Sequence, residues 1–383
     1  MAEAVYTDEL SQYERSCLLS APYSERRVAQ ASNRDVIVYH KLDERQLFWL
    51  AKELGYRPWS DTLAQVLEAI FWDEPVYSSY FKKKGGGGYR KILVPSDPLK
   101  DVQRRILDNV LSLYPVSGSA FGYSGGNVFD ALRPHLEAQN ESLFSTDIED
   151  AFGSVRFDAI FQTIYGLPIN ESYQGCQEKG YLSWEVVFAL CRIVTCGESL
   201  PQGAPTSPRL FDMVFLTIDR KLERLAENVG GIYTRYADNI YFSMPQSEFP
   251  PVVARAIIRT IHENRHCKWA YGLMDANRFR CHETRTRSLG AEAIRTLGVN
   301  LVDGEIHPTR ALKKRIRLSV HRLNWLLVYS PYDIDSITKC WGILQGQMSF
   351  ASNGTVPESL SKQYEQARLN YEGLIFNGEV PTT

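Results

Sequence analysis

Two short strand-like stretches, far apart in the chain and each ending at an aspartate, constrain this sequence more than any other feature. The first is FSTDIEDAFGSV (144–155), which carries Asp147, and the second is TRYADNIYFS (234–243), which carries Asp238. LPQGAPTSP (200–208) lies between them. Each aspartate follows an apolar or aromatic run that reads as a strand, so the two carboxylates can share a metal site only if the fold sets those strands side by side. Such a pair suits two-ion phosphoryl transfer, in which divalent ions activate a hydroxyl and neutralise phosphate charge during in-line displacement. Asn239 stands where a second consecutive carboxylate is expected.

The 383 residues are enough for two or three packed subdomains. At 44% hydrophobic and 23% charged, the chain has the balance of an ordinary soluble globular protein. No apolar run approaches the ~18–20 residues of a membrane span. The acidic, polar start MAEAVYTDELSQYERS does not read as a signal peptide. The cysteines at 17, 176, 191, 196, 267, 281 and 340 show neither a CxxC pair nor zinc-ligand spacing, so reduced thiols and a cytoplasmic location are expected.

Net charge is −2, but its distribution is uneven. Segment 278–322 carries eleven Lys/Arg against four Asp/Glu, and Lys82-Lys83-Lys84 form a second basic cluster. Either could be a solvated face. Their positions beside the aspartate motifs favour phosphate contact.

Helical spacing appears over 44–55, 60–72, 97–115, 158–166, 184–196, 208–228 and 249–265, with Ser60 or Asp61 capping the second of these. Residues 89–95 and 142–148 read as strands, and 231–244 as a hairpin whose turn holds Ala237-Asp238-Asn239. Gly85 to Gly88 punctuate the chain before the first strand, and beyond about residue 300 the chain reads as helical and basic. No internal repeat is visible.

In this order the motifs resemble the reverse transcriptases of bacterial retrons and group II introns, and their relatives in phage defence, over residues 75–350. YRKILVPSDPLKDVQRRIL is similar to that family's fingers motif, and AFGYSGGNVFDALRPH to its next block. FSTDIEDAF, LPQGAPTSP and YADN are similar to palm motifs A, B and C, and RTLGVNLVDGEIHPTRALKKRIR to the primer-grip and thumb segment. The resemblance implies an α/β (α+β) right-hand polymerase fold with fingers, an RRM-like palm and a helical thumb. It divides the chain into an N-terminal helical extension (1–80), fingers and palm (81–300), and thumb with C-terminal tail (301–383).

The same resemblance implies RNA-directed DNA polymerase activity using dNTPs and Mg²⁺, with Mn²⁺ as the alternative ion. The implied partners are an RNA template or dedicated non-coding RNA, a DNA product, and a partner protein or second copy of the chain, with no membrane. Asp147 and Asp238 become metal ligands together with the Ile148 carbonyl, and Asn239 joins them in the catalytic set. The structural alternative for Asp147 is a strand-end aspartate that caps the helix that follows. Asp150 and Ala151 would face the triphosphate, and Phe152 would act as a steric gate against a 2′-hydroxyl or else be a core phenylalanine. Gln202 and Gly203 would line the incoming nucleotide, where glycine permits close backbone approach. Lys83 would touch the γ-phosphate and Arg90 the α-phosphate, and Arg285 offers an acid or phosphate contact or a solvated surface group. Arg310, Lys313, Lys314 and Arg317, with Arg315 and Arg322, would track a template–primer backbone from one helix face.

Two departures matter. Asn239 replaces the family's second aspartate and removes one negative charge beside the ions, an effect of several kcal/mol at modest dielectric. Leu297-Gly298-Val299 replaces the retron VTG, which points to the defence-associated group. No RNase H, maturase or endonuclease segment is recognisable, which fits an enzyme working with a dedicated RNA in anti-phage defence. The alternative is a catalytically impaired, reverse-transcriptase-like subunit that binds nucleic acid or a partner protein.

Overall fold

A computed structural model of the protein describes residues 42, 44–57, 61–71, 74–84, 87–165, 177–178, 181–182, 184–263, 279–289 and 293–377. The chain runs through helices α1 (Glu44–Glu53) and α2 (Asp61–Phe71) into a ribbon, β1 (Tyr77–Lys83) and β2 (Tyr89–Pro95). Helix α3 (Asp97–Asn109), a 3-10 turn (Leu111–Leu113) and α4 (Val128–Glu137) lead to β3 (Ser142–Ile148). Next come α5 (Phe157–Tyr165), the short β4 (Gln177–Glu178) and β5 (Tyr181–Leu182), α6 (Trp184–Val194) and α7 (Ser207–Val229). The hairpin β6 (Ile232–Tyr236) and β7 (Asn239–Met244) precedes α8 (Pro251–His262) and β8 (Cys281–Ser288). Three short strands follow, β9 (Ile294–Thr296), β10 (Val299–Val302) and β11 (Glu305–Pro308). The last helices are α9 (Arg310–Tyr329), α10 (Ile334–Ala351) and α11 (Glu358–Glu372), ending in a π-helical turn (Gly373–Asn377).

Strands β6, β7, β3 and β8, in that order, form one antiparallel sheet. Period-two alternation sends Phe144 and Ile148 to one face and Leu143, Ser145 and Asp147 to the other. The first face, with Ile240 and Phe242, packs on Phe211, Val214, Phe215 and Ile218 of α7, all buried. Each fully buried side chain of this kind stabilises by about 1.5–3 kcal/mol. A one-residue slip of β3 would take Phe144 off the α7 face and turn Asp147 into the core, so hydrophobic patterning sets the register of the acidic strand.

The second face is covered at one end. There α4 and the sheet β9–β10–β11 enclose Leu143 and Tyr241 with Val128, Phe129, Leu132, Ile294, Val299 and Leu301. The end carrying Asp147 stays half-exposed. Helices α9, α10 and α11 form a bundle with its own core, including Ile316, Leu323, Ile337, Leu344 and Leu360. Edge-to-face packing of Phe350 on Phe129, at 5.2 Å, joins the bundle to α4.

The mixed helix-and-sheet expectation holds, with local differences. Residues 77–80 belong to a strand and not to a helical extension, because Tyr77–Lys83 pairs residue for residue with β2. Residues 1–41, Ser60, Gly85, Gly86, Cys17, Cys176 and Cys267 lie outside the described residues. Cys191, Cys196, Cys281 and Cys340 are free thiols. Position 300 falls inside the β9–β10–β11 sheet, and continuous helix starts only at Arg310. Helix α3 stops at Asn109, short of Pro115, where Val110 caps it and the chain tightens into the 3-10 turn Leu111–Leu113. Among the described residues no helix is long and apolar enough to cross a membrane.

A buried polar network ties α4 to the sheet. Thr234 Oγ1 donates to the Ala131 carbonyl at 2.6 Å, so its lone pair is left for His135 Nε2–H at 2.8 Å. Ser243 Oγ accepts from Asn140 Nδ2 and faces His135 Nδ1, both at 2.7 Å. The imidazole is thus satisfied while neutral, and burial pulls its pKa down to about 3. The unfolded chain takes up this proton near pH ~6.5 while the folded chain does not, so the stabilisation is complete above ~6.5 and is lost as pH falls towards ~3. Urea denaturation between pH 7 and pH 4 should show stability falling with pH. A His135→Gln variant, less stable at pH 7, should show a flatter slope across the same window.

Candidate active site

Asp147 pairs with Asn239 across β3 and β7, and Ala237-Asp238 form the two-residue turn between β6 and β7. Ala237 has φ +56°, a left-handed conformation that two-residue hairpin turns require and that a Cβ disfavours. Three contacts hold it there. Arg235 Nη1 donates to the Ala237 carbonyl at 2.8 Å, and Ile148 N–H donates to the Asp238 carbonyl at 3.0 Å. Gly122 lies so close that a Cβ on it would run into the Ala237 backbone. Asn239 Nδ2 donates to Asp238 Oδ1 at 3.0 Å.

Arg235 is fully buried and was not singled out from the sequence. Its Nε and Nη2 grip Asp219 at 3.0 and 2.8 Å, and Nη1 reaches Asp212 at 2.9 Å. The guanidinium also lies over the rings of Phe215 (4.8 Å) and Phe211 (5.3 Å). Asp212 and Asp219 sit seven residues apart on one face of α7. Two acids at that spacing on the apolar face of an amphipathic helix, together with an arginine in a core strand, were the available signal. Burial pushes the Asp212 carboxyl up despite the arginine.

Beside the turn opens a cleft of about 670 Å³. Arg90, Asp147, Ile148, Asp150, Ala151, Phe152, Gln202 and Asp238 all line it. Lys84, Tyr123 and His282 line it as well. Burial, then the charge of Asp147, raises the Asp238 carboxyl above its ordinary value, while Arg90 opposes the rise. Burial, then Asp238, pushes the Tyr123 hydroxyl up to about 12. The Phe152 ring is braced by Tyr123 at 5.9 Å and Phe211 at 6.0 Å. Gln202 Oε1 is buried with no hydrogen-bond partner among the described residues.

The structure sets several expected residues apart from this cleft. Lys84, just past the end of β1, lines it, whereas Lys83, which pairs with Tyr89, does not. Gly203 (φ +132°) meets the fingers ribbon and not the cleft: Leu93 N–H donates to the Gln202 carbonyl at 2.8 Å, and a Cβ on Gly203 would run into the Leu93 carbonyl. Asn239 and Arg285 line a second depression of about 200 Å³ on the far side of Asp147, together with Tyr241, Arg287, Arg295 and Thr296. Lys313 lies about 100° around α9 from Lys314 and is half-buried, while Arg310, Lys314 and Arg317 are exposed.

His282 comes to the cleft through a bulge. Ser145 pairs with Arg285, so unbroken pairing would set Glu283 opposite Asp147, but an extra residue in β8 brings His282 there instead. Its Nδ1 lies 3.3 Å from Asp147 Oδ2, Thr146 Oγ1 donates to its carbonyl at 3.0 Å, and Glu283 takes φ +47°. The bulge therefore leaves His282 opposite Asp147, while Glu283 lines the second depression and pairs with Arg285. Nothing in the strand's residue types announced it.

Residues 81–300 match the family model described as reverse transcriptase (RNA-dependent DNA polymerase). The chain is 29% identical over 232 residues to the retron Mx162 reverse transcriptase of Myxococcus xanthus, covering 55% of this chain and 44% of that protein. It is 33% identical over 173 residues to the retron Mx65 reverse transcriptase of the same organism, covering 44% and 40% respectively. Against the retron Ec86 reverse transcriptase of Escherichia coli it is 30% identical over 173 residues, covering 45% and 49%. These matches span about half or less of the length of those relatives. Among solved structures, the chain is similar to telomerase from Candida albicans in complex with a fragment of telomeric RNA, with a TM-score of 0.41 at 10% identity over 79% of this chain and 61% of that one.

The close approach at Gly203 can be tested directly. Gly203→Ala should cost about 1–3 kcal/mol through the strained φ and the clash with Leu93. The measurement is the urea midpoint, and a variant as stable as the parent would mean that the loop and β2 part in solution.

Proposed function

Because the chain belongs to the reverse transcriptase (RNA-dependent DNA polymerase) family, we propose that it adds dNTPs to a 3′-hydroxyl under the direction of an RNA template. The observation that carries this reading is the convergence of Asp147, Asp238, Arg90, Phe152 and Gln202 on one cleft. In the proposed reaction the 3′-hydroxyl oxygen attacks the α-phosphorus, the bond to the bridging oxygen breaks, and pyrophosphate leaves.

Among the described residues no group of three or more His, Cys, Asp or Glu side chains is arranged to hold a metal by itself. Two carboxylates with a backbone carbonyl nonetheless suit Mg²⁺, a hard ion that takes oxygen ligands and commonly shares them with substrate phosphates and water. Asp147, Asp238 and the Ile148 carbonyl would hold Mg²⁺, or Mn²⁺, which when bound supplies charge neutralisation for the triphosphate. Arg90 would fork onto phosphate oxygens, and Lys84 would take the terminal-phosphate role first expected of Lys83. Asp150 and Ala151 would flank the triphosphate. Phe152, held by Tyr123 and Phe211, would press on the sugar where a 2′-hydroxyl would sit. Gln202 offers its unpartnered oxygen to the incoming nucleotide.

Across Asp147, the arginine-lined depression with Arg285, Arg287 and Arg295 would take phosphates of the strand presenting the 3′-hydroxyl. Arg310, Lys314 and Arg317 would follow the same duplex along α9. A dedicated non-coding RNA and a role in anti-phage defence belong to the same proposal, on the likeness of the motifs to retron and defence-associated enzymes. One observation favours a second reading, an impaired subunit that binds nucleic acid or a partner: Asn239 brings no charge and spends its amide on Asp238.

Primer extension in Mg²⁺ and in Mn²⁺ separates the two. The active reading expects incorporation that falls at least about a thousandfold, about 4 kcal/mol, in Asp238→Ala. No incorporation with either ion on any RNA or DNA template would sink it and leave the second reading. Phe152→Ala should raise ribonucleotide incorporation relative to deoxyribonucleotide by about tenfold or more, about 1.4 kcal/mol. An unchanged ratio would return Phe152 to a purely core role.

A further inference from the structure

Helix α9 contains no aspartate or glutamate, although it carries Arg310, Lys313, Lys314, Arg315, Arg317 and Arg322. At about 100° per residue, Lys314, Leu318, Trp325 and Tyr329 fall on one stripe, opposite the buried stripe of Leu312, Ile316 and Leu323. The stripe changes character along its length. Its first half is cationic, while its second half presents half-exposed to fully exposed aromatic rings. Trp325 is 50% exposed, Tyr329 65%, and Tyr332, just past the helix end, 95%. The rings of Trp325 and Tyr329 lie 5.7 Å apart at 36°, with Arg322 on the same exposed side.

Large aromatic side chains exposed beside the cations of a helix that carries no acid suit a partner that is both anionic and flat. We propose that Trp325, Tyr329 and Tyr332 form a stacking platform for unpaired nucleotides of a single-stranded nucleic acid, with Arg322 and Arg315 meeting its phosphates. A duplex hides its base faces inside its own stack, whereas an unpaired strand offers a π-face at every base. The distance from Lys314 to Tyr329 is about 22 Å at the helical rise, so the platform lies well beyond the basic half of the face. The inference rests on the polymerase reading only for the source of the strand, which would be unpaired template or released product.

The full-length protein, Trp325→Ala/Tyr329→Ala, and Trp325→Phe/Tyr329→Phe are compared by fluorescence anisotropy with labelled oligothymidylate and with a labelled blunt DNA duplex. The alanine pair should weaken oligothymidylate binding about tenfold or more while leaving duplex binding within about threefold. The salt dependence should keep its slope, because the phosphate contacts remain. The phenylalanine pair should retain most of the affinity, and thermal unfolding should be unchanged because both rings are exposed. Unchanged oligothymidylate affinity would overturn the proposal, including the case in which the alanine pair alters only self-association or capture of another protein. Equal loss of single-stranded and duplex binding would overturn it too. The assay needs no turnover, so an absence of primer extension would count against the polymerase reading and leave this result standing.

Discussion

A guanidinium removed from water must have its charge matched where it sits, and Arg235 is matched from α7 by Asp219 and Asp212. Desolvation costs several kcal/mol per ion, so such a cluster is a weak source of stability, but losing one member would cost about 3–5 kcal/mol. Its consequence here is positional. The Nη1 group that binds Asp212 also holds the Ala237 carbonyl, so the turn presenting Asp238 cannot move without disturbing α7. Helix α7 is in turn the main cover of the inner sheet face. Core packing and turn geometry are thereby one problem solved at one residue.

The open end of the sheet works differently. Asp147 stands between two depressions, a cleft with Arg90, Lys84 and Phe152 on one side and a groove with Arg285, Arg287 and Arg295 on the other. Cations on both sides suit a site handling triphosphate and strand phosphates at once. The β8 bulge sets His282 and not Glu283 opposite Asp147, and Asn239 is neutral, while Glu149 and Asp150 line the cleft and Glu283 the groove. With burial and Asp147 raising the Asp238 carboxyl, an acid in place of Asn239 would work further against ionisation of Asp238.

Much of the fold was legible because its elements rest on local pattern. The β3 alternation, the α7 amphipathicity and the Ala237-Asp238 turn each follow from residues adjacent in sequence. The ribbon strand β1 was not read, because its polar, exposed residues show no buried face and its partner does the ordering. In the candidate site, Arg90, Phe152 and Gln202 were found through the resemblance, and the structure brings them together with the aspartates. Arg235, Tyr123 and His282 were missed, since their significance lies in contacts with distant segments.

The sequence by itself determined that two aspartates each follow a strand, that a glycine–proline loop precedes a long amphipathic helix, and that basic residues gather on a late helix. These depend on period-two and period-3.6 patterning, which any chain carries within a few residues. Tertiary structure alone decided which lysine of three enters the cleft, which residue of β8 faces Asp147, and that Gly203 serves the ribbon packed against it. Each of those outcomes turns on a single residue's position in or beside a strand, or on one close backbone approach. Neither leaves a trace in local composition.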